Sequence, residues 1–429
     1  NVTLRILQGA SLTAHTINND YPEYPYNQPS WSDNNYTKRS LIFAQEANNI
    51  RITGGGTIFF SGRAANFLSV SKNFRPFGIR MHRCKNVVID SIKLENAAHW
   101  MVHLFNCDTI TIRKINIYNH CFGSNDGINI DGSRNVLIED CDIDSNDDPI
   151  VIKTHSLAAA EDVLVRNCTL ATYERAIKVG NESCGPMRRI RFENIVVKKS
   201  AFGIAFTPAN AIYVGVTDGG LAEDISFENI DIQTPYETPI FIRLSNRGNK
   251  YTSNIPPPPV QYLKNVTIKN FRCESARAIP SSITAMPNFF VENILLENIT
   301  LIVKGDSGIV GLQTVPELAT SRPEPDMWGD SLPAHGFYVR HAKNVQFKNV
   351  CISLKGKDNR PEYYFEDTAN VFKNDCTNPY NSIAEFANPH ALKLFPNPAQ
   401  KHLNIKSDLI IENAKIVLFD ITGRQYNVS

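Results

Sequence analysis

Asn135-Val136-Leu137-Ile138-Glu139-Asp140-Cys141-Asp142-Ile143 reads as two short strands around a corner. Apolar and polar residues alternate, β-branched side chains dominate, and the polar pair at 139–140 marks the bend. The phrase returns at Asn49-Ile-Arg-Ile, Asn86-Val-Val-Ile-Asp-Ser-Ile-Lys-Leu, Thr109-Ile-Thr-Ile-Arg-Lys-Ile-Asn-Ile, Asp162-Val-Leu-Val and Arg189-Ile-Arg-Phe-Glu-Asn-Ile-Val-Val. Further copies start at Asp224, Asn265, Asn293 and Asn344. Between residues 86 and 189 the copies lie 23 to 27 residues apart, a solenoid period. Later intervals are longer, as loop insertions on one face would make them. One such turn cannot bury its apolar face alone, whereas turns stacked about 4.8 Å apart can. Asn at a corner tolerates left-handed backbone and can hydrogen-bond locally. The fold class predicted is all-β, a right-handed parallel β-helix of about ten coils.

A second strand series alternates with the first and faces a groove. It comprises Phe77–His82, Trp100–Phe105, Gly127–Ile130, Pro149–Lys153, Ala176–Val179, Phe202–Phe206 and Pro239–Arg243. At the start of two consecutive members stand Ser124-Asn125-Asp126-Gly127 and Ser145-Asn146-Asp147-Asp148. Asp126 and Asp147 are 21 residues apart, close to one coil, so they are expected to stack. Three carboxylates brought together raise one another's pKa, an arrangement typical of acid–base chemistry. A lone Asp at a coil corner, such as Asp90 or Asp140, more often caps a turn.

Composition narrows the function classes. With 44 Lys+Arg against 43 Asp+Glu and no basic blocks, neither nucleic acid nor an anionic membrane is an expected partner. No apolar run approaches the ~18 residues that span a bilayer. The chain opens at Asn1-Val2-Thr3-Leu4 as if already inside a strand, which reads as a processed or trimmed start. Nine cysteines are scattered, without zinc-site spacing. Cys84 with Cys107, and Cys141 with Cys168, occupy matching repeat positions and read as stacked buried thiols. Cys351 with Cys376 is the best disulfide candidate. No cofactor and no metal site are expected.

Asn125-Asp126-Gly127, Asp147-Asp148 and Ile152-Lys153 at this spacing resemble the polygalacturonase-type glycoside hydrolases of family 28. Asn1-Val-Thr-Leu, Gly54-Gly-Gly-Thr-Ile and Asn106-Cys-Asp-Thr-Ile-Thr-Ile extend the resemblance across most of residues 1–350. It implies inverting hydrolysis, with Asp147 as general acid and Asp126 and Asp148 activating the water. Inversion implies acid and base about 6.5–9.5 Å apart. Asn125, Lys153, His155, Arg175, Lys178, Glu182 and Arg243 are the expected substrate-binding residues. Two family features are missing. Glu174-Arg175-Ala176 stands where Gly-His-Gly is usual, and the carboxylate-gripping Arg-Ile-Lys aligns with Ala205-Phe206-Thr207. Arg175, Lys178 and Arg243 suggest a relocated anion site, bidentate capture being an arginine habit, while Phe206 would suit a neutral subsite. His103 reads as an interior histidine. Trp100, Tyr173 and Tyr213 could stack on sugars, although packing is the commoner role.

The tail, with Phe395-Pro-Asn-Pro and Phe419-Asp-Ile-Thr-Gly-Arg424, resembles the C-terminal sorting domain of the type IX secretion system of Bacteroidetes, and reads as truncated after Ser429. The domains expected are 1–390, the β-helix, and 391–429, a partial sorting domain with β-sandwich character. The resemblance implies a secreted or cell-surface enzyme partnered by the type IX machinery and by a polysaccharide or oligosaccharide. An acidic, pectin-type galacturonan or rhamnogalacturonan leads. The alternatives are a neutral or sulfated galactan of carrageenan type, a polysaccharide lyase, or a non-catalytic carbohydrate-binding β-helix. Endo versus exo action depends on whether insertions at 208–222, 244–262 or 305–334 close one end of the groove.

Overall fold

A computed structural model of the chain describes residues 1–24, 37–71, 74–203, 207–248 and 258–380, together with the backbone of four short strands between Leu392 and Asn427. Each coil contributes one rung to each of three parallel sheets. The first sheet runs Val2–Arg5, Asn48–Thr53, Lys85–Asp90, Asp108–Arg113 and Arg134–Glu139, then continues through Ala160–Ala171 and Pro186–Val197. The third sheet carries Phe77–His82, Val102–Phe105, Ile128–Asp131, Ile150–Thr154 and Arg175–Ser183. Asn210–Val216, Thr238–Leu244, Ser281–Ala285 and Phe337–Lys355 extend it. This is the right-handed parallel β-helix anticipated from the repeat.

Register makes the core. Ile52, Ile89, Ile112, Ile138, Val165, Phe192, Phe227, Ile268, Leu296 and Phe347 stack one above another, and all are buried. Burying each such side chain is worth about 1.5–3 kcal/mol, which offsets the backbone ordering that a short rung could not support alone. The corners are where the sequence phrase begins. Asn86, Thr109, Asn135, Asp162, Arg189, Asp224 and Asn265 all have φ between 54° and 61°, left-handed backbone that Asn and Asp adopt most readily.

Contrary to the expectation of local bonding, the corner asparagines bond from coil to coil. Asn229 Nδ2 donates to Asn194 Oδ1 at 2.9 Å, Asn270 Nδ2 to Asn229 Oδ1 at 2.8 Å, and Asn298 Nδ2 to Asn270 Oδ1 at 3.0 Å. Each amide is donor to one coil and acceptor from the next, so the ladder propagates.

The rung expected at Phe202–Phe206 falls partly outside the described residues. The partner of Arg175–Ser183 is Asn210–Val216, and residues 204–206, with Phe206, lie outside the described residues. The stretch 208–222, expected as an insertion, is therefore mostly regular strand. Part of 244–262 lies outside the described residues. The 305–334 segment is irregular and packs on the third sheet, where Trp328 and Leu332 join Tyr213, Phe241 and Tyr338. Cys351 and Cys376 form the anticipated disulfide. Cys84, Cys107, Cys141 and Cys168 are buried free thiols. Residues 384–429 form a separate compact unit, in which Leu392–Phe395 pairs antiparallel with Asn404–Ser407, and Val417–Phe419 with Gln425–Asn427.

Asn270→Ala removes two ladder bonds, each worth about 0.5–1.5 kcal/mol, and leaves at φ 53° an alanine, which tolerates left-handed backbone less well than asparagine does. Asn270→Gly also loses the bonds, but glycine takes that φ without steric cost. Thermal melting is expected to rank wild type above Asn270→Gly, and Asn270→Gly above Asn270→Ala.

Candidate active site

Parallel pairing between Ile128–Asp131 and Ile150–Thr154 sets Ile128 beside Ile150. The ladder continues toward the strand starts, with Gly127 N donating to Asp148 O at 3.0 Å and Ile128 N to Pro149 O at 2.9 Å. Asp126 is therefore in register with Asp148, not with Asp147 as the 21-residue spacing suggested. Gly127 is required at this crossing, because a Cβ there would lie 2.4 Å from Pro149 O. The peptide oxygen of Asp147 accepts from Ser145 Oγ and Thr172 Oγ1, both at 2.7 Å, and its carboxylate accepts from Asp148 N at 3.0 Å.

One oxygen from each of Asp126, Asp147 and Asp148 lies within 4.8 Å of the others. These nearest oxygens are closer than the 6.5–9.5 Å expected of an inverting pair. Asp126 and Asp148 are buried, while Asp147 is partly exposed. Burial, then the charge of Asp147, pushes Asp126 well above the usual carboxylate range. Burial, then the charge of Asp148, pushes Asp147 up as well. The spacing could span a divalent cation, but ammonium groups already supply counter-charge. Lys153 Nζ lies 3.9 Å from Asp126 and 3.6 Å from the Trp100 ring centre, and Lys178 Nζ donates to Asp148.

Arg175 and Lys178 join this cluster on the next coil. Arg175 lies 4.0 Å from Asp148 and 3.2 Å from Glu174, and pairs with Glu324. Burial, then Asp147, raises Glu174 to about 7. Glu182 lies 3.8 Å from Arg247. Burial would raise it, yet Lys153, His155, Lys178 and Arg247 hold it below the carboxylate range.

Three residues expected to bind substrate are committed elsewhere. Asn125 is fully buried. It donates to the carbonyls of Ala97 (2.8 Å) and His99 (2.9 Å), and accepts from the amides of Cys121 and Phe122, so it shapes the turn. His155 is buried against Asp131, 2.7 Å from its carboxylate, and His103 meets the same group at 3.0 Å; His103 is thus the interior histidine anticipated. Arg243 is fully buried. It donates to Thr284 Oγ1 at 3.1 Å and to Glu317 O at 2.7 Å, so it anchors the 305–334 segment and offers no anion grip. Trp100 packs on Phe77 and His103. Glu324 was not foreseen, nor was Asp131. Glu324 arrives from a segment without repeat, whereas the one-coil offset between Asp131 and Lys153 could have flagged Asp131.

The sequence profile of glycosyl hydrolases family 28 matches residues 27–319, and that of the secretion system C-terminal sorting domain matches residues 393–428, which marks the chain for secretion or surface attachment. A probable polygalacturonase of Vitis vinifera is 26% identical over 282 residues, covering 61% of this chain and 54% of that protein. Polygalacturonase-2 of Solanum lycopersicum is 24% identical over 284 residues, covering 63% and 58%. The chain thus spans less than two thirds of these relatives' length. A family 28 exopolygalacturonase of Yersinia enterocolitica superposes with a TM-score of 0.62 at 16% identity, covering 86% of this chain and 69% of that one. An exopolygalacturonase of Thermotoga maritima gives 0.51 at 20%, covering 70% and 75%. Both share the fold.

A carboxyl whose folded value is raised weakens folding as pH climbs above its unfolded value of about 3.9. Asp126→Asn should therefore melt above wild type at pH 7. The gain should shrink as pH falls toward 4 and vanish below about 3, where both states are protonated.

Proposed function

The chain belongs to glycosyl hydrolases family 28, and from that membership we propose that it hydrolyses a glycosidic bond of a plant or algal polysaccharide, with pectin-type galacturonan or rhamnogalacturonan the leading class. One observation carries the reading. Of three carboxyls within 4.8 Å of one another, only Asp147 reaches the surface, and it is raised by burial and by Asp148. A donor must be both protonated and reachable by the bridging oxygen. Asp147 is the general acid. Asp126 and Asp148, side by side beneath it, orient a water and take its proton. Lys178 and Lys153 provide the counter-charge that lets the cluster cycle between protonation states. Inversion follows from the family resemblance, while the short separation lends it no support.

The sheet face around the cluster is covered on both sides. Arg80, His82 and His103 are buried toward the N-terminal coils, and Tyr213, Phe241 and Arg243 toward the C-terminal coils, beneath the 305–334 segment. A covered site admits a chain end more readily than a continuous polymer, so exo attack is the mode proposed.

Asp147→Asn should lower kcat by about 10²-fold or more, measured as reducing sugar released from a pectic panel. An unchanged rate would remove Asp147 from the donor role. Early products of wild type should be one or two sugars long, with little fall in polymer viscosity. Rapid viscosity loss would mark endo attack instead.

A further inference from the structure

Arg322-Pro323-Glu324-Pro325 belongs to the irregular 305–334 segment and brings two charges to the edge of the acid cluster. A residue that precedes proline is driven to extended backbone, and in an extended chain residues two apart share a face. Arg322 and Glu324 both precede a proline, and their side chains meet, with Arg322 Nε 2.6 Å from Glu324 Oε1. Glu324 also pairs with Arg175, which lies 4.0 Å from Asp148. Arg322 is thus joined to the acid cluster through one carboxylate and one guanidinium.

The segment that carries this pair is pinned independently of it. Arg243 donates to the carbonyls of Glu317 and Leu318, and Arg340 to those of Val315 and Pro316 at 2.7 and 3.1 Å. Trp328 Nε1 donates to Pro316 O at 2.8 Å, and Pro323 and Pro325 are buried. Lys153, Arg175 and Lys178 are buried as well, each against a carboxylate. Arg322 differs from all of them. Its side chain is 73% exposed, and among the described residues Glu324 is its only partner, so no second residue engages its terminal nitrogens.

We propose that Arg322 is a specificity-determining residue that binds the carboxylate of a uronic-acid unit lying beside the one at the acid cluster. The proposal rests on the hydrolase reading for its catalytic consequence, and it deepens that reading by naming a residue that selects the substrate. A guanidinium meets a carboxylate through two parallel N–H···O bonds, a planar match that a lysine does not offer. The contact with Glu324 and the proline on its C-terminal side restrict Arg322 before any ligand arrives, which lowers the entropy lost on binding. Glu324 is shared with Arg175, so it does not saturate Arg322.

The test uses the full chain carrying Asp147→Asn, so that binding is read without turnover. Calorimetry compares two oligogalacturonides of identical length and linkage, one with free carboxylates and one fully methyl-esterified. Adding Arg322→Gln should weaken the free acid about fivefold or more, while the ester changes by less than about twofold. Arg322→Lys should recover only part of the loss, because it restores the charge without the fork. Free-acid binding that is absent, or that Arg322→Gln leaves unchanged, overturns the proposal. An equal loss for both ligands also overturns it, since Arg322 would then only support the segment. A sulfated galactan oligosaccharide of the same length is the third ligand. If Arg322→Gln weakens that ligand and spares the galacturonide, the carboxylate assignment falls. Hydrolysis by the chain without these substitutions is scored separately. Absence of cleavage with the Arg322-dependent acid preference intact sinks the hydrolase reading and leaves the carboxylate site standing.

Discussion

Parallel register between neighbouring coils is the constraint on which everything else in this chain rests. Ile128 beside Ile150 fixes Asp126 over Asp148 and leaves Asp147 one residue earlier, at the surface. A slip of one residue would exchange inward and outward side chains along the rung, sending Ile130 and Ile152 out and Asp131 and Lys153 in. The apolar stack of the first sheet and the asparagine ladder both resist such a slip. The same packing that stabilises the solenoid therefore holds three like charges closer than they would choose.

Holding them has electrostatic consequences that spread over two coils. Burial and mutual repulsion push Asp126 and Asp147 up, and the lysines on adjoining rungs limit the strain. Asp131, three residues beyond Gly127's neighbour Ile128 on the same strand, is satisfied by His103 and His155 and takes no part in the carboxyl cluster. On the next coils Arg175 is paired with Glu324 and Glu174, and Arg243 with the carbonyls of Glu317 and Leu318.

The repeat was legible because its period and its corner chemistry are local. Asn, Asp or Thr at φ near 55° followed by alternating β-branched residues is readable in any window of nine. The acid cluster was legible for the same reason, since both segments start rungs one coil apart. What escaped reading was non-local. The 21-residue spacing missed the true register by one because the pairing is set at Ile128 and Ile150, inside the strands. The rung at 210–216 lies in a stretch that reads from the sequence as an insertion, because its interval from the preceding repeat is longer than one coil. Arg243 looked like a groove cation, yet the carbonyls it binds lie 74 and 75 residues away in an irregular segment, and no local pattern announces Glu324.

The protonation state of the cluster is the most direct measurement. Infrared difference spectra between wild type and Asp147→Asn, recorded as pH is stepped from 4 to 8, report the protonated carboxyl band. At least one cluster carboxyl should still carry its proton well above pH 4, and the Asp147-dependent band should persist past the range of an ordinary aspartate. Titration of all three near 4 would show that the carboxyls do not perturb one another and would contradict the proton-donor role built on their proximity.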